Sequence, residues 1–340
     1  MKTILRLVTV SAVAVAALAL AGNALATQRL SVTQSATALT IKAAQDAGDQ
    51  QPAKIQIYVP AGYTLGTIPA VGTKVGTTTG HVFARDAGNI ELPLSGDVIV
   101  ADPAKHTKDA CSPGNNAAVL DLQLSVAGQT IDLFVYINPT SAAEQGLGSL
   151  KMAVCLGPAD TPQGSPGRSP NGAQLHDATF TVNNLFTPPT GAVRWTSLWT
   201  PYASGTGVPN PAGTVEARAF VGPGAVTLTG RIVSKKKRII RLQGKVTSAG
   251  IGISGATVRI LINGKLSKFA KKTTATGAYQ LLLQKTVRRK KTTAFQARTS
   301  VAERDVTATG CASPSVPPVP CVSATQGAFT ANSRKILVRL

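Results

Sequence analysis

The chain has 340 residues, a formal net charge of +20, three histidines and four cysteines. So few metal-ligating side chains, with no C-x-x-C pair among them, argue against a zinc centre. After the first 26 residues no apolar run reaches the ~20 residues that a membrane span needs, so no transmembrane segment is expected in the processed protein.

Residues 1–26 read as a secretory signal peptide. Lys2 and Arg6 form a basic start, Leu7 to Leu20 an apolar stretch, and Ala24-Leu25-Ala26 a small-residue cleavage signal. Cleavage before Thr27 gives a soluble exported protein, and no cysteine stands there to carry a lipid. The remaining length fits two domains. The first spans residues 27–220. Its apolar alternation is short and repeated: Ile55, Ile57 and Val59; Leu122, Leu124 and Val126; Ile131, Leu133, Val135 and Ile137. Helix signals are nearly absent. Such runs, parted by turn residues, predict an all-β chain of two β-sandwich domains.

Cysteines in an exported chain predict disulfides. Of three possible connectivities, nearness in sequence favours Cys111–Cys155 and Cys311–Cys321, one per domain. His106 lies in the polar loop Asp102–Asp109, but no nucleophile and base can be nominated together. A non-catalytic protein without cofactor is therefore expected. Trp195 and Trp199 are four residues apart and share one face of a strand. With Tyr202 they could stack on sugar rings; burial in a core or domain interface is the expected role.

A Gly/Pro-rich linker over residues 221–225 leads to a second domain over 226–340. The charge divides near the same place. Residues 1–230 hold 13 Lys/Arg and 13 Asp/Glu, while residues 231–340 hold 22 Lys/Arg and two acids, Glu303 and Asp305. Gly250-Ile251-Gly252-Ile253-Ser254-Gly255 spells G-x-G-x-x-G, the dinucleotide fingerprint. That fingerprint needs a helix after it to hold the pyrophosphate. Here Val258, Ile260 and Ile262 alternate into Asn263-Gly264, a strand entering a hairpin. No acidic residue lies between Gly255 and Ala302 to bind a ribose, so no nucleotide is expected.

Consecutive strands of an antiparallel sandwich reverse direction, so alternate loops emerge at one end. That rule gathers SKKKR (234–238), the NGK turn (263–265) and KTVRRKK (285–291) at one pole. It gathers SAGIGISG (248–255), TTATG (273–277) and VAERD (301–305) at the other. The stretch GKVTSAGIGISGATVRI, followed by TTATGAYQL, resembles bacterial extracellular Ig-like repeats related to the carboxypeptidase regulatory domain. The resemblance covers about residues 226–340 and implies an Ig-like sandwich acting as a spacer or binding module. Ala275 stands where that pattern often carries Asp. Through Cys111 with Ala117-Ala118-Val119-Leu120, Cys155-Leu156-Gly157-Pro158, and Trp195 with Trp199-Thr200-Pro201-Tyr202 and Gly213-Thr214-Val215-Glu216-Ala217, roughly residues 28–220 resemble uncharacterised secreted proteins of actinobacteria, which implies no activity.

The candidate site is the basic pole: Lys235, Lys236, Lys237, Arg238, Lys285, Arg288, Arg289, Lys290 and Lys291. Cations crowded within a few Debye lengths repel one another, and a polyanion relieves the repulsion. No aromatic residue is interleaved with them, so nucleic-acid stacking is not expected. The expected partner is an anionic cell-wall polymer or an anionic lipid surface, and the expected setting is extracellular. A spacer without ligand, and a carbohydrate-binding or hydrolytic first domain, are the alternatives.

Overall fold

A computed structural model describes residues 26–287, 290–312 and 318–339; the expected signal peptide, but for Ala26, lies outside them. The chain is all-β. The first part supplies β1 (Arg29–Gln34), β2 (Ala38–Ala44), β3 (Pro52–Val59), β4 (Thr64–Leu65), β5 (Lys74–Ala84), β6 (Ile90–Ala101) and β7 (Ala118–Val126). It continues with β8 (Gln129–Pro139), β9 (Leu150–Cys155), β10 (Ala173–Asn183), β11 (Phe186–Thr187), β12 (Val193–Pro201) and β13 (Val215–Val221). The alternation in β2 is plain: Leu39, Ile41 and Ala43 are buried, and Thr40 and Lys42 point away. The turn between β7 and β8 is Ala127-Gly128, both with left-handed backbone (φ 48° and 80°).

All of these strands except β4 and β11 join one sheet, in the order β1-β2-β10-β5-β6-β7-β8-β9-β3-β12-β13. The sheet folds over on itself, so its two halves enclose one core. Glycines at three strand positions allow the bend. A Cβ on Gly76, Gly80 or Gly96 would overlap the carbonyl of Thr181, Asp177 or Gln123 in the neighbouring strand. Trp195 and Trp199 lie in this core at 0% and 1% exposure, and Trp195 meets Tyr63 edge to face at 5.1 Å. Neither ring is free to stack on a sugar.

The second sandwich starts after Gly222. One layer holds β14 (Ala225–Val226), β15 (Thr229–Ser234), β16 (Ile239–Ser248), β17 (Ile251–Gly252) and, further on, β20 (Ala278–Gln284). The other holds β18 (Thr257–Ile262), β19 (Lys265–Lys272) and β21 (Thr292–Val301). Ile240, Leu242, Val258, Ile260, Leu283, Phe295 and Ala297 meet between the layers at 0% exposure. Each layer contributes its alternate residues, as the period of two requires.

After β21 the chain does not stay in the second sandwich. β22 (Arg304–Asp305), a short helix α1 (Thr307–Gly310) and β23 (Cys321–Gln326) return to the first domain. There β23 pairs in parallel with β13, from Glu216↔Cys321 to Phe220↔Gln326, and extends the folded sheet to thirteen strands. Ser323 and Thr325 donate side-chain hydrogen bonds to the carbonyls of Gln28 and Leu30, each at 2.6 Å, fastening β1 across the fold. The chain then crosses back and completes the second sandwich with β24 (Phe329–Asn332) and β25 (Ile336–Arg339), both paired with β21. The expected single domain over 226–340 is thus divided: residues 304–326 belong to the first sheet. Both expected disulfides are present, with Cα atoms 5.7 Å apart for Cys111–Cys155 and 5.4 Å for Cys311–Cys321. The second one, however, belongs to the returning segment.

That segment covers an ion pair. Glu216 and Arg218 are each 1% exposed, on the face of β13 opposite the core residues Ala217 and Ala219. Arg218 Nε donates to Glu216, and its Nη1 donates to the Gly310 carbonyl of α1 at 2.8 Å. Removing one member of such a pair strands the other charge in the interior. Arg218→Met is expected to cost about 3–5 kcal/mol in denaturant unfolding. The double variant Glu216→Gln, Arg218→Met is expected to recover most of that loss.

A second, half-buried network bears on acid stability. Glu144 takes hydrogen bonds from Tyr58 (2.8 Å), Ser141 (2.8 Å) and Lys151 (2.7 Å). Burial opposes ionisation of this carboxyl, but the hydrogen bonds from Lys151, Ser141 and Tyr58 prevail and take its pKa down to about 2. The folded state therefore binds this proton less readily than the unfolded chain, whose Glu titrates near its ordinary 4.5. The stabilisation is full above that value and is lost as pH falls toward 2. Glu144→Gln is expected to remove about 2 kcal/mol from the difference in stability between neutral pH and pH 2, measured by urea unfolding.

Candidate anion-binding pole

β16 runs antiparallel to both β15 and β20, so its first residue, Ile239, lies between Ser234 and Gln284. That register places the SKKKR turn beside the loop after β20. The two loops touch: the Lys285 amide donates to the Arg238 carbonyl at 3.0 Å. Lys235, Lys236, Lys237, Lys285, Lys290 and Lys291 are exposed and Arg238 is half-buried. Arg288 and Arg289 lie outside the described residues. The NGK turn joins the same pole. Asn263, at φ 49°, donates from its amide to the Ala294 carbonyl and accepts the Ala294 amide on Oδ1, both at 2.9 Å. Lys265 follows that turn and is exposed. Arg339, which the sequence did not single out, pairs with Thr292 at the end of β25 and adds a further exposed cation. Only the pairing of β25 with β21 brings it there.

The glycine-rich string forms the opposite pole. Gly250 and Gly255 take left-handed backbone (φ 81° and 66°), and a Cβ on Gly252 would overlap the Thr276 carbonyl of the TTATG turn. The string is thus a close packing of two turns. Arg304 donates to the Ser254 carbonyl, so the third loop arrives as well. Ala249 and Ile251 pack against Phe220, Val306, Ala324 and Cys311 of the first domain and its returning segment. The neutral pole is the docked one. The ten residues of β16 separate it from the basic pole by about 30 Å.

Nothing neutralises the basic pole among the described residues. The two acids of the last third are engaged at the domain junction: Glu303 accepts from Ser31 at 3.1 Å, and Asp305 lies 3.4 Å from Arg29. No ion pair among the described residues involves a cation between Arg231 and Arg298. The loops also place cations where backbone geometry disfavours them. Arg238, Lys285 and Lys290 have φ of 54°, 58° and 61°. A left-handed side-chain residue costs roughly 1 kcal/mol that glycine avoids.

The histidines sit elsewhere. His106 Nδ1 lies 2.7 Å from Asp109 Oδ2, which also accepts from Tyr136 at 2.7 Å. His81 lies 3.2 Å from Asp177, and His176 lies 3.2 Å from Glu91. No Ser or Thr hydroxyl is bonded to any of these rings among the described residues. No cluster of metal-ligating side chains occurs there either, and no described helix is long and apolar enough to cross a membrane.

No protein-family model matches the chain, and no curated protein matches it. Among solved structures, a tetra-tandem repeat in the extending region of a large adhesion protein aligns with 90% of this chain and 98% of its own, at 9% identity and a TM-score of 0.21. A likeness of that degree carries no argument about this protein.

The left-handed cations give a test of what the pole is for. Arg238→Gly and Lys290→Gly are expected to hold or raise thermal stability, by up to about 1 kcal/mol each. Both are expected to weaken retention on an anionic matrix. Lower stability in both variants would show that these side chains serve the fold instead.

Proposed function

We propose that this is an exported, non-catalytic protein whose second sandwich holds anionic cell-envelope polymers through its basic pole. The reading rests on one observation above all: two cationic loops about fifty residues apart are hydrogen-bonded to each other, Lys285 to Arg238, with no carboxylate paired to their side chains among the described residues. A chain carrying regularly spaced phosphates or carboxylates can lie across both loops at once. Export accords with the leader-like first 26 residues and with two disulfides, which persist in oxidising compartments. We read the second sandwich as akin to the Ig-like repeats that its turn sequences resemble, a module that presents loops and performs no chemistry.

Binding of this kind is driven by release of counterions, so it weakens linearly in log affinity against log salt. The test is retention of the processed protein on purified wall polymer over a salt series. Lys235, Lys236, Lys237 and Arg238 replaced together by Ser should flatten the salt slope and release the protein at lower salt, with unfolding unchanged within about 1 kcal/mol. Unchanged retention of that quadruple variant at physiological salt would refute the proposal.

A further inference from the structure

The second sandwich exposes four large apolar residues: Val233, Leu266, Leu282 and Leu337, at 43%, 56%, 59% and 72%. All four stand at the basic pole. Val233 immediately precedes the SKKKR turn, and Leu266 follows Lys265 of the NGK hairpin. Leu282 pairs with Arg241, two residues before the strand end at Gln284. Leu337 pairs with Ala294, two residues before Arg339. Ala294 is also the residue that the NGK turn grips. Leu266 and Leu337 lie on the outer face of one layer, and Leu282 on the outer face of the other, because Val338, Ile260 and Leu283 face the core between them. The opposite pole is covered by the first domain and has no such residue.

We propose that, beyond polymer chains, this pole docks on an anionic lipid bilayer, with the lysines and arginines at the phosphates and the four apolar side chains entering the headgroup layer. The inference rests on the reading of the pole as an anion-binding surface. A polyanion in water needs the cations but gains nothing from an apolar rim. A bilayer interface rewards both, through attraction to anionic headgroups and burial of apolar side chains 5–10 Å deep, as order-of-magnitude values. Val233 and Leu266 adjoin the loop tips and meet the headgroups first, whereas Leu282 and Leu337 stand two residues of strand, about 7 Å, behind the tip and reach that layer only as the pole settles into it. Charge complementarity selects anionic over zwitterionic lipid, because no described carboxylate is paired into the pole.

The experiment uses the full processed chain with vesicles of phosphatidylglycerol mixed with phosphatidylcholine, vesicles of phosphatidylcholine alone, and soluble long-chain polyphosphate. All four native cysteines are in disulfides, so Leu266→Cys supplies one thiol for an environment-sensitive fluorophore. The label is expected to shift to the blue on the anionic vesicles only. The double variant Leu266→Ser, Leu337→Ser removes side chains that are more than half exposed, so its fold should persist. Its affinity for the anionic vesicles is expected to fall about tenfold or more, with polyphosphate binding unchanged. An unshifted label, or a double variant that holds vesicles as tightly as wild type, would overturn the lipid inference even if polyphosphate is bound. Failure to bind either vesicles or polyphosphate would overturn the anion-binding reading itself.

Discussion

The parallel pairing of Cys321–Gln326 with Val215–Val221 is the constraint on which the arrangement of the molecule depends. Without it the two sandwiches would be joined by one Gly/Pro-rich connection at residues 222–224. With it the chain crosses between them three times: out after Val221, back before Arg304, and out again after Gln326. Each crossing costs chain entropy, which the ladder hydrogen bonds, the Ser323 and Thr325 bonds to β1 and the apolar contacts around Phe220 offset together. Phe329, the first residue of β24, packs so closely on Gly224 that any side chain there would displace its ring. Phe220, Val306 and Ala324 form a small apolar core at the junction, against which Ala249 and Ile251 of the second sandwich pack.

That junction decides where the charge goes. The neutral pole, built from the GIGISG and TTATG turns, has small residues that let two backbones touch and leave Ala249 and Ile251 to pack on Phe220 and Val306. A pole of lysines could not be buried there without partners. The strand period then puts the SKKKR, NGK and KTVRRKK loops at the far end, about the length of β16 from the first domain. Segregation of charge and segregation of the domain contact are two results of the same strand alternation.

The sequence made the poles legible because hairpin alternation is a local rule. Once Asn263-Gly264 and Gly277 mark turns, the end at which each loop emerges follows, and Lys285 meets Arg238 as that rule requires. The disulfide partners were legible for the same local reason. The return of residues 304–326 was not. CVSATQ alternates like any strand, and nothing in it distinguishes a parallel partner in one sheet from an antiparallel partner in another. Parallel pairing leaves no turn signal, because its two strands are far apart in sequence. The bend of the first sheet was hidden too. Gly76, Gly80 and Gly96 look like weak points in strands until their close approach to neighbouring carbonyls is seen. Arg339 joined the pole only through the same long-range pairing.

The central claim is that the junction holds the basic pole at a fixed distance from the first domain. Spin labels at Lys236→Cys on the pole and at the exposed Val71→Cys, in the first domain's connection from β4 to β5, measure that distance by dipolar coupling. The account predicts one narrow distribution that a polyanion leaves in place. A broad or two-peaked distribution would contradict it, because two sandwiches on a free hinge would sample many separations.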